Sequence, residues 1–459
     1  MDKIGKPQDN YLKSLGSRIR CELNDLKRTP LTAANELGFS ERVVDSVLEG
    51  RAEYETAVEL VDKMGEFYPI DPMHLRLLKK DTTNAVKLMS NEESHSTRRV
   101  YHRTDGLLEK SNYYEYRDTA MSNLAPLKPE WIRVLKEVQD SDPNNLRVVM
   151  NNGHFMHQVT LFIGPVNFYY EDEEGNKFCH EMNTGDSNYI TPFVKHSFAS
   201  RDKEEFTCIL AVTYGGDVSR SQRELYALGN KKLNSFLLKD GFASLLNQQT
   251  KNNLFSIDIL DSLIRAKDDG IDVKSFLASG ETPAIEELSV IASCLGVGVE
   301  KLIPSKQNST KCIIRKFSEN DCNLFPNPNS GLYRVFSLAN DGQSDLMKAS
   351  VVEVLGEKHE PQHYFERSLH SYLINYTDAP AELSWEHNGE YHTRKINKFD
   401  SVYLEPFTRF SVVNSSDELS RLLIVGIKTS VNLQAQRELS TFPSPERVIS
   451  ELGGWYEKE

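Results

Sequence analysis

Long hydrophobic runs are missing from this chain of 459 residues. No stretch approaches the roughly 18 consecutive apolar residues that a membrane-spanning helix needs. The first residues, Met1 to Pro7, also lack the apolar core of a signal peptide. We therefore expect a cytoplasmic protein that does not enter a membrane.

Paired cysteines and an excess of positive charge are missing too. The six cysteines are scattered without a Cys-x-x-Cys pair, which argues against a disulfide framework and a structural zinc site. The 54 Lys and Arg residues face 67 Asp and Glu residues, and the net charge of −13 disfavours nucleic acid as a partner. Glycine and proline are few, and the length allows two or three domains with cores of their own.

The chain repeats itself over nearly its whole length. Residues 186–193 match residues 400–407, and the segment 209–225 corresponds to 423–439 at the same spacing. Each repeat is β-rich and follows a short helical unit. In the first unit, residues 31–50 have the helix, glycine turn and second helix of a helix-turn-helix, with Ser40 as the expected N-cap, and residues 268–295 repeat this pattern.

Two short segments of the first repeat carry residue types that bind metals. The two-residue period of a strand places His154 and Gln158 on the same side, with His157 facing away. His196 follows a Gly-x6-Pro turn and can complete a facial set of three ligands, which leaves open positions on a non-haem Fe(II). On spacing alone, interior polar packing without a metal is the open alternative. We expect His180, beside an acidic hairpin, to be solvated.

These patterns predict an α+β protein, in which a helix-turn-helix-like helical unit followed by a β-barrel cupin occurs twice in tandem, a bicupin. The expected divisions are an N-terminal helical unit at 1–95, a catalytic barrel at 96–220, a linker helix at 221–250, a second helical unit at 251–310, a second and metal-free barrel at 311–435, and a C-terminal tail at 436–459.

The two barrels are not equivalent. Phe410 stands at the position of His196 in the second copy, and no residue near Ser371 supplies a glutamine. A barrel without these ligands cannot hold the same metal. We therefore expect one active site, with one metal ion, per chain.

The helix-turn-helix raises the possibility of a transcription regulator, the non-enzyme alternative. Helices that bind DNA present Arg or Lys to phosphates and bases. The second helix of this unit instead carries Glu41, Asp45 and Glu49 against Arg42, with Arg51 just beyond. DNA binding through this surface is not expected.

With these motifs in place, the chain resembles the tandem helix-turn-helix/cupin family that contains hydroxyethylphosphonate dioxygenase and methylphosphonate synthase. The resemblance covers essentially the full length. It rests on Asn-Asn-Gly-His at 151–154, Gly-Asp-Ser at 185–187, His196, Arg-x-Asp-Gly at 103–106, Asn-Tyr-Tyr at 112–114 and Gly-Trp at 454–455.

The resemblance implies an Fe(II)- and O2-dependent oxidative carbon–carbon cleavage of 2-hydroxyethylphosphonate. Within the family, the dioxygenase carries a glutamate where Ile190 stands here and has no glutamine at the place of Gln158. This chain has the pattern that implies the products methylphosphonate and CO2. The alternative products, those of the dioxygenase, are hydroxymethylphosphonate and formate.

The resemblance also implies the residues of the site and the partners of the protein. The implied iron ligands are His154, Gln158 and His196, and the implied catalytic residues are Gln158 and Ile190. The residues implied to bind the substrate are Arg103, Tyr113, Asn151 and Lys27, with Arg99 as an alternative to Arg103. One Fe(II) per chain is expected, without 2-oxoglutarate or another organic cofactor. We expect a phosphonate substrate and O2 as partners, no nucleic acid or membrane, and a homo-oligomer, in which Lys27 acts in its own subunit or a neighbouring one.

Overall fold

A computed structural model describes residues 7–239, 241–304, 311–326, 331–342, 346–355 and 365–450. Its α-helices are α1 (Pro7–Asp25), α2 (Pro30–Leu37), α3 (Glu41–Leu48), α4 (Tyr54–Phe67), α5 (Pro72–Leu75), α6 (Asn91–Ser96), α7 (Asp217–Leu233), α8 (Phe242–Asn252), α9 (Ile257–Lys267), α10 (Val273–Ser279), α11 (Ile285–Leu295), α12 (Leu433–Leu439) and α13 (Arg447–Ser450). Within the described ranges, no helix is both long enough and apolar enough to cross a membrane.

The strands fall into two sets. Those of the first half are β1 (Val86–Met89), β2 (Arg99–Thr104), β3 (Lys110–Asp118), β4 (Glu130–Val134), β5 (His157–Ile163), β6 (Val166–Glu171), β7 (Lys177–Met182), β8 (Ser187–Ile190), β9 (Lys195–Ser200) and β10 (Cys208–Tyr214). Those of the second half are β11 (Cys312–Arg315), β12 (Cys322–Phe325), β13 (Tyr333–Ser337), β14 (Met347–Val354), β15 (Leu369–Asn375), β16 (Ala381–His387), β17 (Glu390–Ile396), β18 (Ser401–Leu404), β19 (Arg409–Asn414) and β20 (Arg421–Lys428).

The predicted helix-turn-helix is present. Gly38 ends α2 in the left-handed conformation, with φ of 78°, where a side chain would be strained. The Ser40 side chain then accepts a hydrogen bond from the backbone N–H of Val43 at 3.4 Å, as an N-cap does. In the second helical unit, Gly280 ends α10 in the same way, with φ of 74°.

The tandem repeat is visible strand by strand. A seven-stranded sheet of order β11-β8-β5-β10-β4-β3-β2 and a three-stranded sheet of order β7-β6-β9 form the first β-unit. The second β-unit has the orders β1-β18-β15-β20-β14-β13-β12 and β17-β16-β19, so every strand has a counterpart at the same place. The α+β class and the bicupin arrangement are confirmed. Each unit, however, is a pair of antiparallel sheets and not a continuous closed barrel.

The two β-units exchange their edge strands. β1 precedes the first unit in sequence but pairs with β18 of the second, and β11 pairs with β8 of the first. An exposed sheet edge has unpaired backbone groups, and the crossing segments supply partners for them. The expected divisions at residues 95 and 310 stay a prediction, and β1 and β11 each pair across one of them.

The large sheets of the two units pack face to face. Trp131, Tyr189 and Leu210 of the first unit belong to one buried cluster with Tyr372 and Tyr403 of the second. Burying one such large side chain stabilises the fold by about 1.5–3 kcal/mol. The opposite face of the first large sheet covers the interior of its own unit, where the polar residues of the site lie.

Candidate metal centre

The loop before β5 carries His154. The Oδ1 atom of Asn151 accepts hydrogen bonds from the backbone N–H groups of Gly153 and His196, both at 3.0 Å. Gly153 has φ of +73°, and a Cβ there would lie 2.5 Å from the carbonyl of Phe193. Only glycine permits this close approach, which brings His154 to the end of β9 where His196 lies.

His154 therefore reaches the site in a different way from that predicted. β5 begins at His157, so His154 precedes the strand and the expectation that it shares a strand face with Gln158 is wrong. The two side chains meet all the same, with Nε2 of His154 at 3.0 Å from Oε1 of Gln158. The glycine turn directs His154 back over the strand.

Backbone carbonyls select the tautomers of both histidines. Nδ1 of His154 lies 2.9 Å from the carbonyl oxygen of Met156, and Nδ1 of His196 lies 2.9 Å from that of Val194. A carbonyl only accepts, so each Nδ1 donates and each Nε2 presents a lone pair to the interior. Burial lowers the pKa of His196 to about 4, which keeps this ring neutral near pH 7.

Gln158 completes a donor set that fits a cation. Its side chain is 5% exposed, and its Nε2 donates to Oγ1 of Thr160 at 2.9 Å, so that Oε1 points towards His154. The His154 Nε2 lone pair and this oxygen are both acceptors, and at 3.0 Å they repel each other unless a positive charge lies between them. Two imidazole nitrogens and one amide oxygen are suitable ligands for a divalent transition metal.

The three candidate ligands include no carboxylate, although Glu130 lines the same cavity. Among the described residues, no group of three His, Cys, Asp or Glu side chains is placed to hold a metal. Ile190 lies directly opposite Gln158 in the β5–β8 register and is fully buried in the apolar interior. The three candidate ligands, His154, Gln158 and His196, are therefore all neutral side chains.

The three side chains open into a cavity of about 260 Å³. Its remaining lining consists of Arg103, Tyr114, Tyr116, Glu130, Ile132, Asn151, Met156, Phe198, Ile209 and Thr213. A larger cavity of about 570 Å³ lies between α1 and the C-terminal segment, but no histidine lines it. The smaller cavity is the candidate functional site.

Arg103 is the cation of this cavity. Its guanidinium lies over the rings of Tyr113 and Tyr114, with centroids at 4.7 and 5.0 Å, and donates to the carbonyl of Val149 at 2.5 Å. Arg99 does not line the cavity and forms a two-pronged ion pair with Asp118 at 3.1 Å. Of the two arginines, the structure brings Arg103 to the metal centre.

Tyr113 does not line the cavity. Its hydroxyl lies 2.9 Å from Oγ of Ser197 and accepts the backbone N–H of Val149, and its side chain is fully buried. Tyr114 and Tyr116 line the cavity instead. Burial raises the pKa of Tyr116, so its hydroxyl stays protonated and can donate. The two-residue period of β3, which groups Tyr114 with Tyr116, was the available signal for these residues.

Lys27 lies outside the cavity of its own chain. It is in the turn after α1, with φ of 60°, and its ammonium donates to the carbonyls of Asn24 and Asp25 at 3.4 and 3.1 Å. Glu130 and Thr213, which the sequence analysis did not single out, do line the cavity. Their strands, β4 and β10, carry no recognisable motif.

Two other histidines that the sequence analysis considered, His157 and His180, lie elsewhere. His157 faces the interface, as predicted, with Nδ1 2.8 Å from the hydroxyl of Tyr189, which donates to Asp341 at 2.9 Å. The expectation that His180 is solvated is wrong: its ring stacks on Tyr170 at 5.8 Å, and burial lowers its pKa.

The second unit has a different residue at each ligand position. The Phe407 N–H donates to the carbonyl of Arg367 just as the Phe193 N–H donates to that of His154, so Arg367 is the counterpart of His154. The counterparts of Gln158 and His196 are Ser371 and Phe410. The Arg367 guanidinium packs against Gly426, where a Cβ would lie 1.7 Å from Nη2. The second unit thus places a cationic side chain where the first has His154.

Comparisons with known proteins show to which family the chain belongs. The chain is 32% identical to methylphosphonate synthase of Nitrosopumilus maritimus (strain SCM1), over 99% of this chain and 98% of that protein. It is similar to the structure of Streptomyces albus HEPD with 2-hydroxyethylphosphonate and Fe(II) bound, with a TM-score of 0.87 and 30% identity over 97% of this chain and 99% of that one. PhpD with cadmium has the same fold, with a TM-score of 0.70 and 16% identity over 96% and 99% of the two chains. No family model matches the chain.

Proposed function

Because the chain belongs to the family of methylphosphonate synthase, we propose that its cavity converts 2-hydroxyethylphosphonate and O2 to methylphosphonate and CO2. It is an iron-dependent enzyme of phosphonate metabolism. The observation that carries the proposal is the convergence of His154, Gln158 and His196 beside Arg103 in one cavity.

The reaction balances without an added reductant. HOCH2CH2–PO3²⁻ and O2 contain the atoms of CH3–PO3²⁻, CO2 and H2O, so the substrate supplies all four electrons that O2 takes up. No pocket for a separate reducing cofactor is needed. When bound, Fe(II) supplies O2 activation and Lewis acidity at this site.

We propose His154, Gln158 and His196 as the residues that hold the iron. The tautomers of both rings place the lone pair on Nε2, and Gln158 presents its oxygen. The Nε2 of His196 lies 3.1 Å from Nδ2 of Asn151, and a bound metal would take the place of that hydrogen bond. Because all three ligands are neutral, the iron keeps its full double positive charge. This charge favours binding of a dianionic substrate beside the metal.

Arg103 and Asn151 are proposed to hold the phosphonate. The Oδ1 atom of Asn151 accepts two backbone N–H groups, and its Nδ2 lies 3.1 Å from Nε2 of His196. Once a metal occupies that Nε2, the NH2 group can donate to an anion in the cavity. Charge-assisted hydrogen bonds from a guanidinium suit a phosphonate dianion. Tyr116 supplies a further hydroxyl donor, the role that the resemblance assigned to Tyr113.

Ile190 and Gln158 are proposed to decide the product. To form methylphosphonate, the enzyme must oxidise the one-carbon fragment to CO2, whereas release of that fragment as formate leaves hydroxymethylphosphonate. The fragment therefore has to stay in the cavity after carbon–carbon cleavage. An isoleucine in place of a carboxylate removes a like charge that would repel formate. The structural similarity to HEPD keeps the dioxygenase outcome as the second candidate.

A homo-oligomer is proposed, in which Lys27 reaches the cavity of a neighbouring chain. α7 has no buried residue, and its exposed side chains include Val218 and Tyr226, which a neighbouring chain would cover. Mixing a Lys27→Ala chain with a His154→Ala chain tests this arrangement. Recovered activity supports a shared site, and two inactive partners that stay inactive as a mixed oligomer contradict it. A cytoplasmic location stays a prediction.

Oxygen uptake tests the proposed reaction. The protein is loaded with Fe(II) under anaerobic conditions, and substrate labelled with ¹³C at the hydroxyl-bearing carbon is added with O2 but without 2-oxoglutarate or reductant. We expect one O2 consumed per substrate and labelled CO2. A requirement for 2-oxoglutarate, or no uptake of O2 by the iron-loaded protein, would contradict the proposal.

A further inference from the structure

The side-chain amide of Gln158 has two ends that differ chemically but not in shape. Its oxygen has lone pairs for a metal, whereas its NH2 group has only hydrogens to offer and repels a cation. A glutamine ligand therefore needs a neighbour that distinguishes the two ends. Histidine ligands have such neighbours here, the carbonyls of Met156 and Val194.

Thr160 is placed to do this for Gln158. It lies two residues along β5, on the same face, and is fully buried. The Gln158 Nε2 atom donates to its Oγ1 at 2.9 Å, and this contact turns Oε1 towards His154. Once the oxygen binds a metal, Thr160 is also the acceptor that satisfies the buried NH2 group.

A second buried polar side chain, Asn188, lies next to Thr160 in the sheet. Asn188 is its cross-strand neighbour on β8, on the same interior face, and directly opposed side chains lie about 5 Å apart at Cβ. Asn188 is fully buried, and neither end of its amide has a hydrogen-bond partner among the described residues. Asn188 is therefore not hydrogen-bonded to Thr160 in this structure, but its unpaired oxygen is the acceptor that the Thr160 hydroxyl needs in order to keep its own oxygen for Gln158.

The second unit provides an internal comparison. By sheet register, the counterparts of Thr160 and Asn188 are Leu373 and Val402, both fully buried, and the counterpart of Gln158 is Ser371. Burying a threonine and an asparagine is costly unless they form hydrogen bonds. This chain buries the polar pair only in the unit that has a glutamine at the metal position.

We infer that Thr160 is a positioning residue that selects the oxygen of Gln158 for the metal. The inference rests on the proposed function, because it takes Gln158 as a ligand. Thr160 lies outside the cavity and touches neither metal nor substrate. It acts on metal affinity only through its hydrogen bond to Gln158.

Metal affinity measured by titration tests the inference. Thr160→Val keeps the shape of the side chain but leaves the Gln158 NH2 group without an acceptor, and we expect about tenfold weaker Fe(II) binding. Thr160→Ser restores the acceptor and should bind within a few-fold of the wild type. Thr207→Val is the matched control, because Thr207 is buried in the same unit but donates to the carbonyl of Val134 at 3.2 Å; its affinity should not change.

A double-mutant cycle separates this effect from general loss of structure. The cycle uses Zn(II), which binds such ligands more tightly than Fe(II). Thr160→Val should weaken binding in the wild type but change it less than about twofold in a Gln158→Ala background. Equal effects in both backgrounds, or wild-type affinity in Thr160→Val, would overturn the inference.

Two further outcomes keep the test decisive. If Thr160→Val does not fold, Thr160→Ala, which also removes the acceptor, is expected to show the same loss of affinity and the same dependence on Gln158. If Gln158→Ala alone binds Zn(II) and Fe(II) like the wild type, then Gln158 is not a ligand. That result would contradict the proposed metal centre itself, and with it the role of Thr160.

Discussion

Nε2 of His154 faces Oε1 of Gln158 at 3.0 Å, although neither atom carries a hydrogen in the tautomer that the Met156 carbonyl selects. Two acceptors at this distance repel each other, and a cation bound between them would attract both. The contact identifies the Gln158 amide as a candidate ligand, so that all three candidate ligands are neutral. We propose that this lack of ligand charge determines which product forms.

Loss of either histidine should remove the iron. His154→Ala and His196→Ala each leave two ligands, which do not hold Fe(II) against water, so both variants should lose bound iron and all activity. Iron content after anaerobic loading and gel filtration measures this. His157→Ala, on the opposite face of the sheet, is the control and should keep its iron. Near-stoichiometric iron in either of the first two variants would rule out the proposed triad.

The two arginines should behave differently. Arg103→Ala should weaken substrate binding by about 1.5–3 kcal/mol, the range for a hydrogen bond to a charged group, and leave the iron in place. Arg99→Ala removes an ion pair with Asp118 outside the cavity and should leave the KM unchanged. Steady-state kinetics compares them. A larger effect of Arg99→Ala on the KM would show that the phosphonate binds elsewhere.

Tyr113 and Tyr116 of β3 should also differ in their effect on substrate binding. Tyr116→Phe should raise the KM, because Tyr116 lines the cavity and its hydroxyl is the proposed donor to the substrate. Tyr113→Phe should lower the free energy of unfolding by about 1 kcal/mol, since its hydroxyl is bonded to Ser197 and Val149, with little change in the KM. Thermal unfolding and kinetics on both variants separate the roles. A higher KM in Tyr113→Phe and an unchanged KM in Tyr116→Phe would show that Tyr113 is the residue that contacts the substrate.

Gln158→Glu should keep iron but impair the reaction. A carboxylate is the stronger ligand, yet its charge lowers the Lewis acidity of the metal and repels a retained formate. We expect slower methylphosphonate formation or diversion of part of the product to hydroxymethylphosphonate. Unchanged rate and product in this variant would mean that the charge of the ligand does not control the outcome.

Much of the fold could be predicted from the sequence because its signals are local or repeated. The caps at Gly38 and Ser40 mark the helix-turn-helix, and the repeat at 186–193 and 400–407 predicts two equivalent β-units. The exchange of β1 and β11 could not be predicted, because the pairing of edge strands depends on contacts between distant segments.

The site was partly accessible from the sequence. Spacing and resemblance together indicated His154, Gln158 and His196, but strand periodicity was the wrong reason for His154, which a glycine turn brings into place. At Tyr113, strand periodicity would have been the better guide, because the cavity residues of β3 are two positions apart. The contact between Thr160 and Gln158 needed side-chain geometry.

Phosphorus NMR of the product of one aerobic reaction tests the central claim most directly. The Fe(II)-loaded protein is given 2-hydroxyethylphosphonate and O2, and the phosphonates formed are compared with authentic standards. The account predicts methylphosphonate as the main product, accompanied by CO2. Hydroxymethylphosphonate as the main product, accompanied by formate, would contradict it and assign the dioxygenase reaction to this chain.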